Sequence, residues 1–448
     1  MKTMRFASIR LLGIAGLLIP SFGATAQEEV NQLTLDLQYM VRGETRNGGL
    51  PESNKDDKEE ESTDVKDYLD KANFLLGRTR LVADYKRPSL ETKMSIQHSG
   101  VWGQKGANIN VFEAWAKLST ENGLFAQAGR QALSYDDERI IGANDWSMAG
   151  MSHDVLRLGY EGQSHKVHAI LAYNQNVENI NGGSFYKDGS QPYKTMQTLW
   201  YHYDMSKIPL GASLLFMNIG MQGGDNEVEG HTEFQQMFGG YLKYAPSQWT
   251  AELSYYRQTG IYEKGGIDID AWMLATKLQY SPTDKYGFVA GYDYMSGDDL
   301  FAIPPKGHLG VTQHKVIKGF NPVYGSHHQF YGAMDFFYVT TYVNGFSPGL
   351  QNAYVGGHFK PLSNVHLSAK YHYLAIASHL KNMKKTLGHE IEIEASYKFT
   401  KDVGLSAGYS FMRGTDTMKK LKRASNRGSL RWGWISLNIS PRIFSTKW

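Results

Sequence analysis

The chain has 448 residues, with 47 Lys and Arg, 44 Asp and Glu, 28 Tyr, 47 Gly and no Cys. After its first residues no run reaches the ~18 consecutive apolar positions of a transmembrane helix, and the missing cysteines exclude disulfides and thiolate metal centres. The three excess positive charges are Lys2, Arg5 and Arg10, so the rest is formally neutral and gives no electrostatic support to nucleic-acid binding.

Residues 1–26 have the three parts of a secretory signal: that basic start, a mostly apolar Leu11–Gly23, and small residues at Ala24-Thr25-Ala26. Cleavage is expected before Gln27, leaving 27–448 as one domain of 422 residues. Its dominant pattern has period two. Leu33, Leu35, Leu37, Tyr39 and Val41 alternate with Thr34, Asp36, Gln38, Met40 and Arg42. The same holds for Val365, Leu367, Ala369, Tyr371 and Tyr373, and again for Ile391, Ile393, Ala395, Tyr397 and Phe399. A soluble sandwich also alternates. Here, however, runs of about ten residues are joined by connections that alternate strictly between short and long, as in a transmembrane barrel.

Short turns are expected at 86–89, 120–123, 161–165, 204–209, 246–248, 282–285, 361–364 and 400–402. Long connections fall near 44–72, 103–110, 134–152, 176–193, 222–232, 261–270, 297–350, 378–387 and 413–428. Eight short and nine long connections predict an all-β, antiparallel transmembrane barrel of about 18 strands with both ends on the short-turn, periplasmic side. The high tyrosine content fits aromatic girdles at two membrane interfaces, with Trp249, Trp272 and Tyr280 as girdle candidates. Two loops are biased in charge: 44–71 carries net −5 and 413–431 net +6, and as neighbours across the closure they are expected to attract each other or to be solvated independently.

Dense mixed charge marks one strand-to-loop passage: Arg130, Asp136, Asp137, Glu138, Arg139 and Asp145, followed by Asp154. A charge near the midplane of the lipid face costs ~2–4 kcal/mol, so this group is expected to fold inward as a salt-bridged constriction. It either pins the loop alone or also takes part in gating and selectivity. The connection 297–350, with Phe320-Asn321-Pro322-Val323-Tyr324-Gly325, His328 and Asp335, is too long for an unstructured loop and is expected to enter or cover the lumen. Strand phase sends Arg78, Arg80, Lys93, Lys117 and Arg157 into the lumen as a basic arc, with Glu113 beside them and Glu390, Glu392 and Glu394 on a distant strand. Such rings select anions, although opposed charges also serve simply to balance a polar interior.

The block Gly129-Arg130-Gln131 to Asp137-Glu138-Arg139-Ile140-Ile141-Gly142, with Trp146 and Asp154, and the block Phe320–Gly325 with His328, Gly332 and Asp335, resemble those of the alginate export family of outer-membrane barrels. Asp136 stands where that family commonly has glycine, and His153 where an aromatic often precedes the Asp. The resemblance implies an outer-membrane diffusion channel, with polysaccharide export as one case. The expected function is passive passage of anionic saccharides or polysaccharide, with uptake of small anionic solutes as the alternative.

A barrel-embedded hydrolase would need a convergent Ser/His/acid set. Gly404-Leu405-Ser406-Ala407-Gly408 matches a nucleophile elbow, but it lies within an alternating strand rather than at a strand-to-helix turn. His366, Lys370 and His372 share a face and are read as solvated lumen residues rather than a metal site. No cofactor and no metal is expected. The expected partners are outer-membrane lipid, the barrel assembly machinery and the cargo, for a chain acting as a monomer; a surface adhesin is permitted by the charged loops but not specifically indicated.

Overall fold

The computed structural model describes residues 30–47, 72–105, 109–178, 180, 183–224, 230–262, 266–299, 316–335, 347–422 and 429–448. The proposed signal, the acidic stretch 48–71 and residues 423–428 lie outside these, and so does the suggested attraction between the two charged loops.

The first part of the barrel wall consists of β1 (Gln32–Asn47), β2 (Ala72–Arg87), β3 (Leu90–Val101), β4 (Ile109–Ser119), β5 (Leu124–Gln131), β6 (His153–Glu161) and β7 (His165–Tyr173). It continues through β8 (Thr195–Asp204), β9 (Leu210–Gly223), β10 (His231–Tyr244), β11 (Trp249–Tyr262), β12 (Ile267–Tyr280) and β13 (Tyr286–Met295). After the short β14 (Val316–Ile317) come β15 (Leu350–Leu362), β16 (Val365–Ala375), β17 (Thr386–Lys398), β18 (Val403–Gly414), β19 (Ser429–Ile439) and β20 (Arg442–Lys447). Each wall strand pairs antiparallel with its neighbours, and β1 closes on β19 (Tyr39 opposite Ile439, Asn47 opposite Arg431). Beyond Pro441, β20 carries the last strand on, placing Gln32 opposite Lys447. The result is a closed barrel of eighteen strands. Closure satisfies the backbone donors and acceptors of every strand, which the hydrocarbon requires. β14 stands apart, running parallel to β12.

The period-two pattern fixes which side meets lipid. Leu81, Met94, Ile96, Leu214, Ile391 and Ile393 point outward and are exposed, while Arg80, Ser95, Gln97, Ser213, Glu390 and Glu392 point inward and are buried. Trp249 stacks on Tyr280 with ring centroids 4.4 Å apart, and Trp272 on Tyr294 at 4.6 Å. The lumen is far from empty. Leu133, Ile141, Tyr193, Tyr256, Phe320 and Tyr331 are almost fully buried in one apolar cluster where in-folded loops pack on the inner face of the wall.

Three boundaries differ from the sequence reading. The connection expected at 261–270 is short, since β11 runs to Tyr262 and β12 starts at Ile267, and two further strands run into their loops. β1 extends to Asn47 and β18 to Gly414, so Glu44, Arg46 and Arg413 belong to strands rather than loops. In the basic loop, Asp416–Lys422 forms a short helix, α1. Glu44 shows why β1 continues: its carboxylate accepts from Arg42 Nε at 2.9 Å, from Arg46 at 2.9 Å and from the Trp432 indole at 2.9 Å across the closure. Glu44→Leu would leave a buried arginine without its anion and should cost the seam about 3–5 kcal/mol. The expected outcome is a lower temperature for the shift from the folded to the unfolded band in heat-modifiable electrophoresis; an unchanged transition would show that the seam does not depend on this pair.

A constriction across the lumen

The connection between β5 and β6, residues 132–152, turns into the barrel and crosses it. Its path is held by close approach to the second block. Ile141 bridges Tyr324 in parallel fashion, Gly142 N donates to Tyr324 O at 2.9 Å, Tyr324 N to Ile140 O at 3.1 Å, and Ser326 N to Glu138 O at 2.8 Å. Glycine is required at two of these contacts, since a Cβ on Gly142 would strike Ser326 and one on Gly325 would strike the Arg139 carbonyl. Six of the nine described non-glycine residues with positive φ lie in these two segments: Asp136, Glu138, Asn144, Val323, Tyr331 and Asp335. Strain of this kind costs about 1–3 kcal/mol per residue and persists only where the surroundings fix it. Asp136, in place of the family's common glycine, keeps the left-handed turn at φ 55°. Its carboxylate makes that tolerable by accepting from the Trp200 indole at 3.1 Å. Burial raises the Asp136 carboxyl above the usual carboxylate range, against the Ser213 hydroxyl and Trp200 donors that lower it.

The charges run in order along this crossbar. Arg139 is at its centre, 2% exposed, with Asp137 at 3.0 Å, the β13 residue Asp293 at 2.8 Å, the Tyr331 hydroxyl at 3.3 Å and the Phe330 ring beneath it at 4.0 Å. Burial opposes its charge, but Asp293, Tyr331 and Asp137 together hold the guanidinium well above its ordinary value. Burial also pushes the Tyr331 phenol up to about 12. Glu138 accepts from Ser326 Oγ at 2.6 Å, locking the two segments together. Ser254 donates to Asp137 at 3.1 Å from the β11 wall.

At the far end Asp145 reaches β2. Arg78 contacts it through both terminal nitrogens, at 2.9 and 3.3 Å, and Arg80 through one at 3.2 Å. The adjoining Trp146 carbonyl accepts from Arg42 at 3.1 Å, and its ring stacks on His328 at 4.2 Å. His328 in turn contacts Asp335 at 2.9 Å. The second block is tied to the wall by Gln258, which exchanges two 2.8 Å hydrogen bonds with Asn321, and by Met334 N donating to Glu390 at 2.9 Å.

The structure therefore gathers Asp136, Asp137, Glu138, Arg139, Asp145, His328 and Asp335 into one crossing network. Arg130 and Asp154 are not part of it. They pair with each other across β5 and β6, at 2.8 and 2.6 Å, on the face opposite Gln127, Gln131, His153 and Val155. They therefore neutralise each other on the outer face of the wall, where Gln191 of the β7–β8 connection also donates to Asp154 at 3.3 Å.

The basic arc points inward as its phase implies, but its cations are largely engaged. Lys93 meets Glu113 at 3.0 Å, Lys117 meets Glu161 at 3.5 Å, and Arg157 donates to Gln127 at 2.6 Å. Lys370 and His372 likewise serve Glu392 and Asn352, at 2.6 and 2.9 Å. Ser406 lies inside β18 and lines the lumen beside Ser396 and Ser436. Among the described residues no three His, Asp or Glu side chains come together with metal-ligand geometry. Sequence reasoning missed Arg42, Glu44 and Asp293; a charged residue on the lumen phase of an aromatic-rich strand was the available signal for Asp293.

The crossbar leaves space beside and beneath it. A cavity of about 720 Å³ lies toward the short turns, lined by Arg157, Glu161, His168, Trp200, His202 and Lys243. Cavities of about 450 and 320 Å³ follow the β12–β19 wall, the second bordered by Lys277, His358, His366 and Lys370.

A closed antiparallel barrel with an apolar outer band, a charged lumen and an in-folded constriction defines an outer-membrane channel. The model of the alginate export family matches residues 104–428, and the chain belongs to that family. No curated protein matches it. Among solved structures it is similar to OccK5 (OpdH) of Pseudomonas aeruginosa, at 12% identity and TM-score 0.55, over 92% of this chain and 99% of that one. It is also similar to OccAB1 of Acinetobacter baumannii, at 13% identity and TM-score 0.59, over 92% and 97% of the two chains. A BenF-like porin from Pseudomonas fluorescens Pf-5 is similar at 11% identity and TM-score 0.57, over 92% and 99%. At such identities the likeness is one of fold.

Proposed function

We propose that this channel passes anionic saccharides, acting as a monomer that the barrel assembly machinery inserts into the outer membrane. The observation that carries the reading is the unequal pairing at Asp145: two guanidiniums, both buried, share one carboxylate whose side chain is 56% exposed to the lumen. The surplus positive charge lies at the constriction, where charge governs selectivity most strongly. The two guanidiniums are too buried to grip a passing uronate, so their surplus charge acts on it at a distance across the lumen. The family membership supports the same class of cargo.

Passage of small anionic solutes is the second reading, and the cavity sizes favour it over a long polymer while the crossbar is in place. Spaces of about 320–720 Å³ match small-ligand sites. A polymer would need the crossbar to move.

Planar-bilayer recordings across a salt gradient test both. Anion-selective reversal is expected, with current interruptions from short uronate oligomers and none from neutral glucose oligomers of equal length. Cation selectivity would overturn the charge argument. Interruptions by uronate monomers and dimers alone would favour the small-solute reading.

A further inference from the structure

The outer wall at the closure carries a feature that conduction does not use. On β18 and β19 the alternation that sends Met412, Leu430 and Trp432 into the lumen sends Arg413, Arg431 and Ile435 outward. Both arginines are exposed, and among the described residues neither has a carboxylate within ion-pairing distance. Arg413 is opposite Ser429 and Arg431 opposite Phe411, so the two are diagonal neighbours, a relation that puts them about 7–8 Å apart. They stand at the long-loop end of their strands. A cation on the lipid face is tolerated there, at ~0–1 kcal/mol, because headgroups rather than acyl chains surround it.

Two residues further along β19 the wall is notched. Gly433 lies opposite Thr45, and Gly43 opposite Ile435. Neither glycine has positive φ. A Cβ on Gly433 would meet Thr45 at 3.4 Å, Tyr409 at 3.6 Å and the Gly408 carbonyl at 4.0 Å, and one on Gly43 would meet Leu75 at 3.2 Å and Ile435 at 3.7 Å. At Gly433 backbone conformation and packing leave room for a side chain, at Gly43 only if Leu75 gives slightly. The two glycines leave a shallow, open groove of about 590 Å³ bordered by Leu75 and Ile435. Its position on a membrane-facing wall makes acyl chains its natural neighbours.

We propose that this rim binds a phosphorylated, acylated lipid of the outer leaflet, with a phosphate between Arg413 and Arg431 and one acyl chain in the Gly43–Gly433 groove. The charges are complementary, and the two parts lie in the order in which such a lipid enters the membrane, headgroup above and chain below. His389, exposed and directly opposite Arg413 on β17, adds a polar group on the same wall.

Native mass spectrometry of the full chain in detergent, with added bis-phosphorylated lipid A, tests this. A one-to-one adduct is expected, and dephosphorylated lipid A should be held about tenfold more weakly, as loss of a charge-assisted contact implies. Arg413→Gln with Arg431→Gln should cause the same loss. Gly433→Leu should weaken lipid A binding while leaving single-channel conductance and heat-modifiable mobility as in the wild type. Equal binding of the dephosphorylated lipid, or wild-type binding by both variants, would overturn the proposal. Complete displacement by inorganic phosphate would assign the arginines to free phosphate and overturn it as well.

Discussion

An Arg139→Leu channel should conduct several-fold more current than the wild type, and its loop at 132–152 should be cut by protease under conditions that leave the parent intact. The expectation follows from what Arg139 holds. It is the cation shared by Asp137 on its own segment, which is partly buried, and Asp293 on the β13 wall, which is almost fully buried, and it also packs on Phe330 and contacts Tyr331 in the second block. Removing it strands two carboxylates in the lumen core, a loss of about 3–5 kcal/mol when one partner of a buried pair is deleted. That is enough to undock a segment already carrying left-handed strain at Asp136 and Glu138. Combining Arg139→Leu with Asp293→Asn should recover part of the docking, because the wall acid no longer needs a partner. If Arg139→Leu alone leaves conductance and protease resistance unchanged, the crossbar is held by its apolar contacts and not by this network.

The barrel itself was legible because its signal is local and repeated. Most wall strands carry their own alternation, and most connections are short or long according to the side they serve, so eight short and nine long connections predict eighteen strands. The connection expected long at 261–270 is the exception, with β11 ending at Tyr262 and β12 starting at Ile267. The crossing of the lumen was legible as a class of feature, since charge at the density of Asp136 to Arg139 has few stable places near a membrane. Its partners were not. Arg139 finds Asp293 at a separation of 154 positions in sequence, and nothing in either strand's periodicity reports the other. Proximity in sequence points Arg130 and Asp154 toward the crossbar, and strand phase turns them away from it. In β5 inward Phe125 and outward Leu124 leave the lipid phase ambiguous, and parity becomes clear only once Gln127 and Gln131 are seen facing the lumen. Glu44 reads as part of an acidic loop for a related reason. The strand continues only because Trp432 and two arginines, one of them inside the barrel, meet its carboxylate.

Selectivity should respond most strongly at Arg78 and Arg80. Replacing both by Glu places three acids where there were two cations and one anion, and at 3–4 Å each reversal changes an interaction of about 4 kcal/mol at an effective dielectric constant near 20. Water and salt in the lumen screen much of this, so a several-fold shift of the permeability ratio toward cations is the expected reading, seen as reversal potentials moving toward the cation limit. Asp145→Asn should move them the other way, since it unmasks two guanidiniums while leaving their positions on β2 unchanged. The Arg78→Lys variant separates charge from anchoring. It keeps the cation but loses the two-nitrogen grip on Asp145, so reversal should stay near the wild-type value even if current noise increases as the loop end loosens. Reversal potentials that move equally in Arg78→Lys and in the double Glu variant would mean that loop position, not lumen charge, sets selectivity. Potentials that fail to move in any of the three would place the limiting constriction elsewhere, with the 720 Å³ cavity around Arg157, His168 and Trp200 as the next place to measure.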